Sequence, residues 1–165
     1  MKQSKALKLT LSGVFAALIF VATYFFQFPL PGGSGYVNLG DGFILIAVLL
    51  IGPYAIPAAA VGSLISDLLL GYAVYAPATF IIKGLMALLA WLIIRKSEKI
   101  LPALLAFITA ELIMVAGYLV FEGFLYGWPV AIASVTFNLL QGLAGVILGV
   151  IAFPAVKRIK KLAKF

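Results

Sequence analysis

LGDGFILIAVLLIGPYAIPAAAVGSLISDLLLGY, Leu39–Tyr72, contains two apolar runs, and whether they cross a membrane once or twice sets the architecture of the whole chain. The first, Leu39–Ile51, is short: about 13 residues at about 1.5 Å each reach only about 20 Å of a roughly 30 Å hydrocarbon core. Pro53 and Pro57 in IGPYAIP favour a break all the same. Proline lacks an amide donor, so it closes one helix and is tolerated in the first turn of the next. The second run, Tyr54–Gly71, is then a span of its own.

Outward from this stretch the composition is that of an integral membrane protein. The 165 residues are 65% hydrophobic and 10% charged, far from a soluble domain. Four further apolar runs, Leu9–Phe28, Ala78–Ile94, Leu101–Phe121 and Ala131–Pro154, bring the expected total to six transmembrane helices in one all-α membrane domain, residues 1–165. Leu9–Phe28 exceeds a signal-peptide core of about 7–15 residues and has no small-x-small cleavage site, so it is read as a span.

The basic residues fall in three clusters: Lys2, Lys5 and Lys8; Arg95, Lys96 and Lys99; and Lys157, Arg158, Lys160, Lys161 and Lys164. With six spans and a cytoplasmic amino terminus, all three lie on the cytoplasmic side, as the positive-inside rule requires. Five or seven spans would strand one cluster. The net charge of +7 is therefore topological and implies no nucleic-acid partner. Both termini are expected in the cytoplasm.

The chain has no cysteine and no histidine, which removes disulfides, imidazole and thiolate metal ligands, and Ser/His or Cys/His catalytic pairs. No Gly-rich phosphate loop is present, so no nucleotide site is expected. Neither a cofactor nor a metal is expected, and no spacing of acidic residues marks a catalytic pair.

Polar residues inside apolar spans are costly, on the order of 2.5–3.5 kcal/mol for an ionisable group near the bilayer centre. Here they gather in the outer half. At about 1.5 Å per residue, Asp67 lies roughly 6 Å deep, Lys83 about 8 Å, Asn138 about 10 Å, and Glu111 and Gln141 about 15 Å. Asn38, Asp41, Tyr36, Tyr72, Tyr75, Tyr118, Glu122, Tyr126 and Trp128 crowd the rim. Glu111, Tyr118 and Glu122 share one helical stripe; Ser134, Asn138, Gln141 and Gly145 share another; Thr79 and Lys83 form an i, i+4 pair.

Each has a structural alternative. Lys83 can pair with Glu111 or Asp67 to join helices, and Asn138 and Gln141 can be interhelical hydrogen bonds. Asn38 or Asp41 can cap a helix, and Tyr126, Trp128 and Trp91 suit an interfacial belt. What these alternatives explain poorly is the asymmetry between leaflets. A pocket entered from outside and closed below accounts for it, whereas a channel needs polar lining throughout its depth.

The first span carries overlapping small-xxx-small pairs, Ser12/Ala16 and Gly13/Ala17, which allow close approach of another helix, either within the bundle or on a partner.

The stretch from Val37 to Ala90, with NLGD, SDLLLGY and YAPATFIIKG, resembles the substrate-binding S components of energy-coupling factor (ECF) vitamin transporters. The resemblance implies a multi-pass protein of a prokaryotic plasma membrane that captures a vitamin or precursor from outside. It also implies a transmembrane coupling subunit and two cytoplasmic ATPases as partners, and no enzymatic activity in this chain. The loop Pro29–Asn38 would be the lid, with Gly32, Gly33, Gly35 and Tyr36. The family's helix-one alanine motif maps onto Ser12, Gly13, Ala16 and Ala17. In this reading Asn38 and Asp41 sit at the lid hinge. Lys83, Glu111, Asn138 and Gln141 form floor and walls with Thr79, and Tyr72, Tyr75 or Tyr118 stacks on a flat ring. Pyridoxine-like or hydroxymethylpyrimidine-like compounds are expected, then riboflavin. The competing class is a structural or assembly subunit with no ligand.

Overall fold

The computed structural model describes residues 5–30 and 35–163. Its elements are α1 (Lys5–Phe25), β1 (Gln27–Pro29), β2 (Tyr36–Asn38), α2 (Gly40–Ile51), a 3-10 turn (Gly52–Tyr54), α3 (Ala55–Leu69), α4 (Ala76–Ile94), α5 (Ile100–Tyr126) and α6 (Trp128–Ala163). Five segments are long and apolar enough to cross a membrane, with α2, the turn and α3 counted together as the 30-residue stretch Gly40–Leu69.

That stretch breaks at Gly52. Its φ of +58° is easy only for glycine, and Pro53 follows, so the helix ladder cannot run through. The two ends of the stretch come back together. Asn38, just before α2, and Asp67, near the end of α3, line one small pocket, whereas Gly52 and Pro53 line another cavity beside Trp91 and Arg95 at the far end of α4.

The helices pack in the cyclic order α1, α3, α4, α5, α6, α2. Of these, α2 is the most enclosed: its buried residues include Asp41, Ile44, Leu45, Ala47, Val48, Leu49 and Ile51. A helix apolar on every side belongs in the interior, and the shortness that makes α2 an awkward span suits it to that place. The outer faces of the other helices carry exposed Leu, Ile, Val and Phe, such as Leu112, Leu139, Leu140 and Ile151. That is the surface a bilayer requires.

Several boundaries differ from the sequence reading, among them the end of α5, which runs past Phe121 to Tyr126, and the start of α6 at Trp128 rather than Ala131. The segment after α1 is not a bare loop but a two-stranded antiparallel hairpin that pairs Gln27 with Asn38, Phe28 with Val37 and Pro29 with Tyr36. Gln27 and Phe28, placed in the first span from hydropathy, are strand residues. The last helix also runs past Pro154 to Ala163, because polar Lys157–Lys161 outside an apolar core still favour helix.

Single cysteines introduced into this cysteine-free chain test the α2–α3 break. Cysteines replacing Pro53 and Ser97 should react with impermeant maleimide from one side of the membrane, and one replacing Ala73 from the other. A single crossing by residues 40–69 would leave position 53 unreactive from either side.

Candidate functional site

The polar residues of α2, α4, α5 and α6 converge at the end of the bundle covered by the hairpin. At the centre, Lys83 Nζ donates to Asp41 Oδ1 at 2.5 Å, with both side chains almost fully buried. The other Asp41 oxygen accepts from Gln141 Nε2 at 2.5 Å. Gln141 Oε1 in turn accepts from the Asn38 backbone N–H at 2.8 Å and from Asn38 Nδ2 at 3.3 Å. One chain of contacts thus runs from α4 through α2 and α6 to the hairpin.

This corrects two expectations. Lys83 pairs with neither Glu111 nor Asp67; its partner is Asp41, the second residue of α2. Asp41 is not a rim residue at the hinge but one of the most buried side chains, 1% exposed. Asn38 does serve the local turn, since its Oδ1 accepts from the Gly40 N–H at 2.8 Å, and Thr23 Oγ1 donates to the same oxygen at 3.4 Å.

Above this layer lies an aromatic roof. Tyr36 stacks near Tyr72, with ring centroids 5.0 Å apart, and Tyr75 contacts Tyr72, Tyr118, Phe121 and Tyr126. The Tyr36 hydroxyl donates to Asp67 Oδ1 at 2.6 Å. Burial, reinforced by the Asp67 charge, pushes the Tyr36 phenol above its ordinary range, so it remains a donor at any physiological pH. Tyr75 donates to Glu122 Oε1 at 3.3 Å, and Ser134 Oγ donates to the other Glu122 oxygen. Thr79 and Tyr118 share a hydrogen bond at 3.0 Å. Gly35 has a φ of +118° and passes so close to the Tyr75 hydroxyl that a β-carbon there would meet it at 3.3 Å. Glycine is thus required where the hairpin turns over the roof.

The residues around the remaining space are Thr23, Gly35, Tyr36, Asn38, Ser63, Asp67, Tyr75, Thr79, Lys83, Tyr118, Glu122, Asn138 and Gln141. The cavity they leave is about 20 Å³, room for about one water. A ring compound would need the hairpin and the tyrosines to move.

Of the expected site residues, Asp41, Tyr72 and Glu111 stand behind the wall. Tyr72 props Tyr36 and Tyr75. Glu111 lies below, against Gly142 and Gly145, where a β-carbon at position 145 would collide with its carboxylate. Among the described residues, neither Glu111 oxygen nor Asn138 Nδ2 has a hydrogen-bond partner, although both residues are buried. Thr23, whose i, i+4 spacing to Gln27 marks a polar pair in the sequence, lines the space, and so does Ser63, a lone hydroxyl in an apolar helix that gives no period to read. Gly32 and Gly33 lie outside the described residues.

The small-residue quartet of α1 divides. Ser12 donates to the Tyr54 carbonyl at 2.8 Å. Ala16 packs its backbone against Gly62 of α3, so close that a β-carbon there would collide. These two belong to internal packing. Gly13 and Ala17 face outward, with nothing within 4 Å of where a Gly13 β-carbon would stand.

Comparison with known proteins agrees with this architecture. Residues 3–160 match the family described as ECF-type riboflavin transporter, S component. Among curated proteins, the chain is 36% identical over 155 residues to the thiamine precursor transporter HmpT of Lactococcus lactis subsp. cremoris (strain MG1363), covering 92% of this chain and 88% of that one. It is 31% identical over 130 residues to an uncharacterized protein in the gap 3′ region of Pyrococcus woesei, covering 78% and 87%. A solved S component of a bacterial ECF transporter superposes with a TM-score of 0.79 over 96% of this chain and 99% of that one, at 22% identity, which speaks to the fold. The apolar helices and the family match define a multi-pass membrane protein of a transport system. The chain belongs to the ECF-transporter S components, a family of vitamin-transporter subunits rather than of enzymes.

The Lys83–Asp41 pair makes a sharp energetic prediction. Lys83→Met leaves a buried carboxylate unpaired and should destabilise the protein by about 3–5 kcal/mol, whereas Lys83→Met combined with Asp41→Leu should recover most of that loss. Chemical unfolding in detergent measures both; equal losses in the single and double variants would mean the pair is not an energetic unit.

Proposed function

We propose that the chain captures a small, flat, hydrogen-bonding vitamin precursor from outside the cell, hydroxymethylpyrimidine-like or pyridoxine-like, in the space beneath the hairpin. The observation that carries this reading is the sealed polar cluster itself, with buried Asn138 Nδ2, which lines the space, left without a partner among the described residues. A buried polar group without a partner costs on the order of 1–3 kcal/mol, a cost a ligand's donors and acceptors remove. The 36% identity to a protein named as a thiamine precursor transporter supports the pyrimidine class. So does size: a cavity of about 20 Å³ must expand for any ligand, and less for one ring than for three.

Riboflavin is the second reading, favoured by the description of the matching family. The phenylalanines and tyrosines of the roof would then wall a larger ring system.

In this account α2 and α3 cross separately, giving six crossings within the single domain 1–165 and both termini in the cytoplasm of a prokaryote. The hairpin is the lid. Asn38 latches it through Gln141, and opening breaks those two hydrogen bonds together with Tyr36–Asp67. Having no nucleotide site, the chain depends on a transmembrane coupling subunit and two ATPases. Gly13 and Ala17 form the face offered to the coupling subunit, and Ser12 and Ala16 hold α1 in place behind them.

Purified protein titrated with hydroxymethylpyrimidine, pyridoxine and riboflavin should raise its unfolding midpoint with the first, since a ligand that binds only the native state stabilises it. Asn138→Ala should weaken that binding about tenfold or more. A response to riboflavin alone selects the second reading, and no response to any vitamin supports a ligand-free structural subunit.

Gly13→Leu with Ala17→Leu should leave binding intact, because both positions are open, and should reduce uptake in cells that carry the ATPase partners. Undiminished uptake would place the coupling face elsewhere.

A further inference from the structure

A second cavity among the described residues is far roomier than the sealed polar site. It is about 1000 Å³, lies at the opposite end of the bundle and is lined by parts of α1, α2, α4, α5 and α6. Its lining has two halves. The deeper half is apolar, formed by Val48, Leu49, Ile94, Ala103, Phe153 and Val156. The mouth carries Lys8, Arg95, Lys96, Lys157 and Lys160 against one acid, Glu98.

Trp91 in the lining, and Tyr54 beside Lys8, mark the level of the interface, as aromatic residues do at the edge of a bilayer. Lys8 Nζ lies 5.7 Å from the Tyr54 ring centre and the Arg95 guanidinium 5.4 Å from that of Trp91. Lys160 reaches Glu98 at 3.3 Å. Five cations and one carboxylate leave the mouth strongly positive.

The positive-inside rule accounts for basic residues near this end, but not for their convergence on a deep apolar recess. Lys99, Arg158 and Lys161 obey the same rule and stay outside the cavity. A free phosphate would use only the mouth, and an apolar helix only the recess. An anionic phospholipid uses both, placing its phosphate among the cations and the start of its acyl chains against Phe153 and Val48.

We propose that this cavity is a specific binding site for one anionic phospholipid of the cytoplasmic leaflet. The site is separate from the vitamin pocket and rests on the proposed orientation only for the choice of leaflet. A lipid held between α2, α4 and α6 would brace the inner ends of these helices, which carry Asp41, Lys83 and Gln141 farther along toward the polar site.

The test uses the full chain in detergent, with binding of phosphatidylglycerol and phosphatidylcholine followed by native mass spectrometry and by unfolding midpoint. One variant carries Lys96→Gln, Lys157→Gln and Lys160→Gln. Its control carries Lys99→Gln, Arg158→Gln and Lys161→Gln, the same loss of charge outside the cavity. One phosphatidylglycerol should bind in preference to phosphatidylcholine. The cavity variant should lose about tenfold or more in affinity, and the control no more than about twofold. Equal losses in both variants would reduce the effect to general surface charge and overturn the site. So would full stabilisation by inorganic phosphate alone, which would make it a free-anion site. Unchanged lipid binding with lost co-purification of the ATPase and coupling subunits would assign the cavity to a protein partner instead. Vitamin binding is read separately in each variant, so failure here leaves the vitamin pocket standing, and the reverse.

Discussion

A lysine and an aspartate buried together inside an apolar helix bundle are the constraint on which the rest of the structure depends. Lys83 and Asp41, 2.5 Å apart, would each be prohibitively expensive alone in such surroundings. Pairing makes them tolerable only if the remaining hydrogen-bonding capacity is also met, and Gln141 meets part of it. The requirement fixes three helices relative to one another. α2 must descend beside α4, and α6 must present its polar stripe to both. Because Gln141 also holds Asn38, the position of the hairpin depends on the same ion pair.

That dependence ties stability to function. Burial of Tyr36 keeps its hydroxyl protonated, so the Tyr36–Asp67 bond fastens the hairpin at one edge while Asn38–Gln141 fastens it at another. Both contacts end on residues that also face the small central space. In the proposed reading, a solute entering there competes for the groups that hold the hairpin down, so that the polar layer serves as both wall and latch. The inner half of the bundle is built differently: Ile44, Leu45, Met86, Ala87, Ala90, Ala106 and Phe107 pack as an apolar plug.

Much of this was legible in the sequence, for physical reasons that can be named. Apolar runs and the placement of lysine and arginine defined helices and their ends, because hydrocarbon tolerates little else. The stripes Glu111, Tyr118, Glu122 and Ser134, Asn138, Gln141 turned inward because lipid penalises them outward. The partner of Lys83 was not legible. Hydropathy put Asp41 at a rim, and nothing local records that α2 sinks to the centre of the bundle, which only the packing of five neighbouring elements decides. The hairpin was hidden by Phe28, an aromatic residue as suited to a span as to a strand. The split of Ser12 and Ala16 from Gly13 and Ala17 depends on which side of α1 meets Gly62, a tertiary fact. The basic cavity was missed because its lining comes from five helices, none of which shows more than an ordinary basic end.

The central claim is that a solute enters beneath the hairpin and is enclosed by the polar layer around Lys83 and Asp41. Hydrogen–deuterium exchange of the protein with and without hydroxymethylpyrimidine measures this most directly. The account predicts slower exchange at residues 35–41 and 72–79 on ligand addition, with residues 94–103 unchanged. Protection confined to the inner end, or none anywhere at saturating ligand, would contradict it.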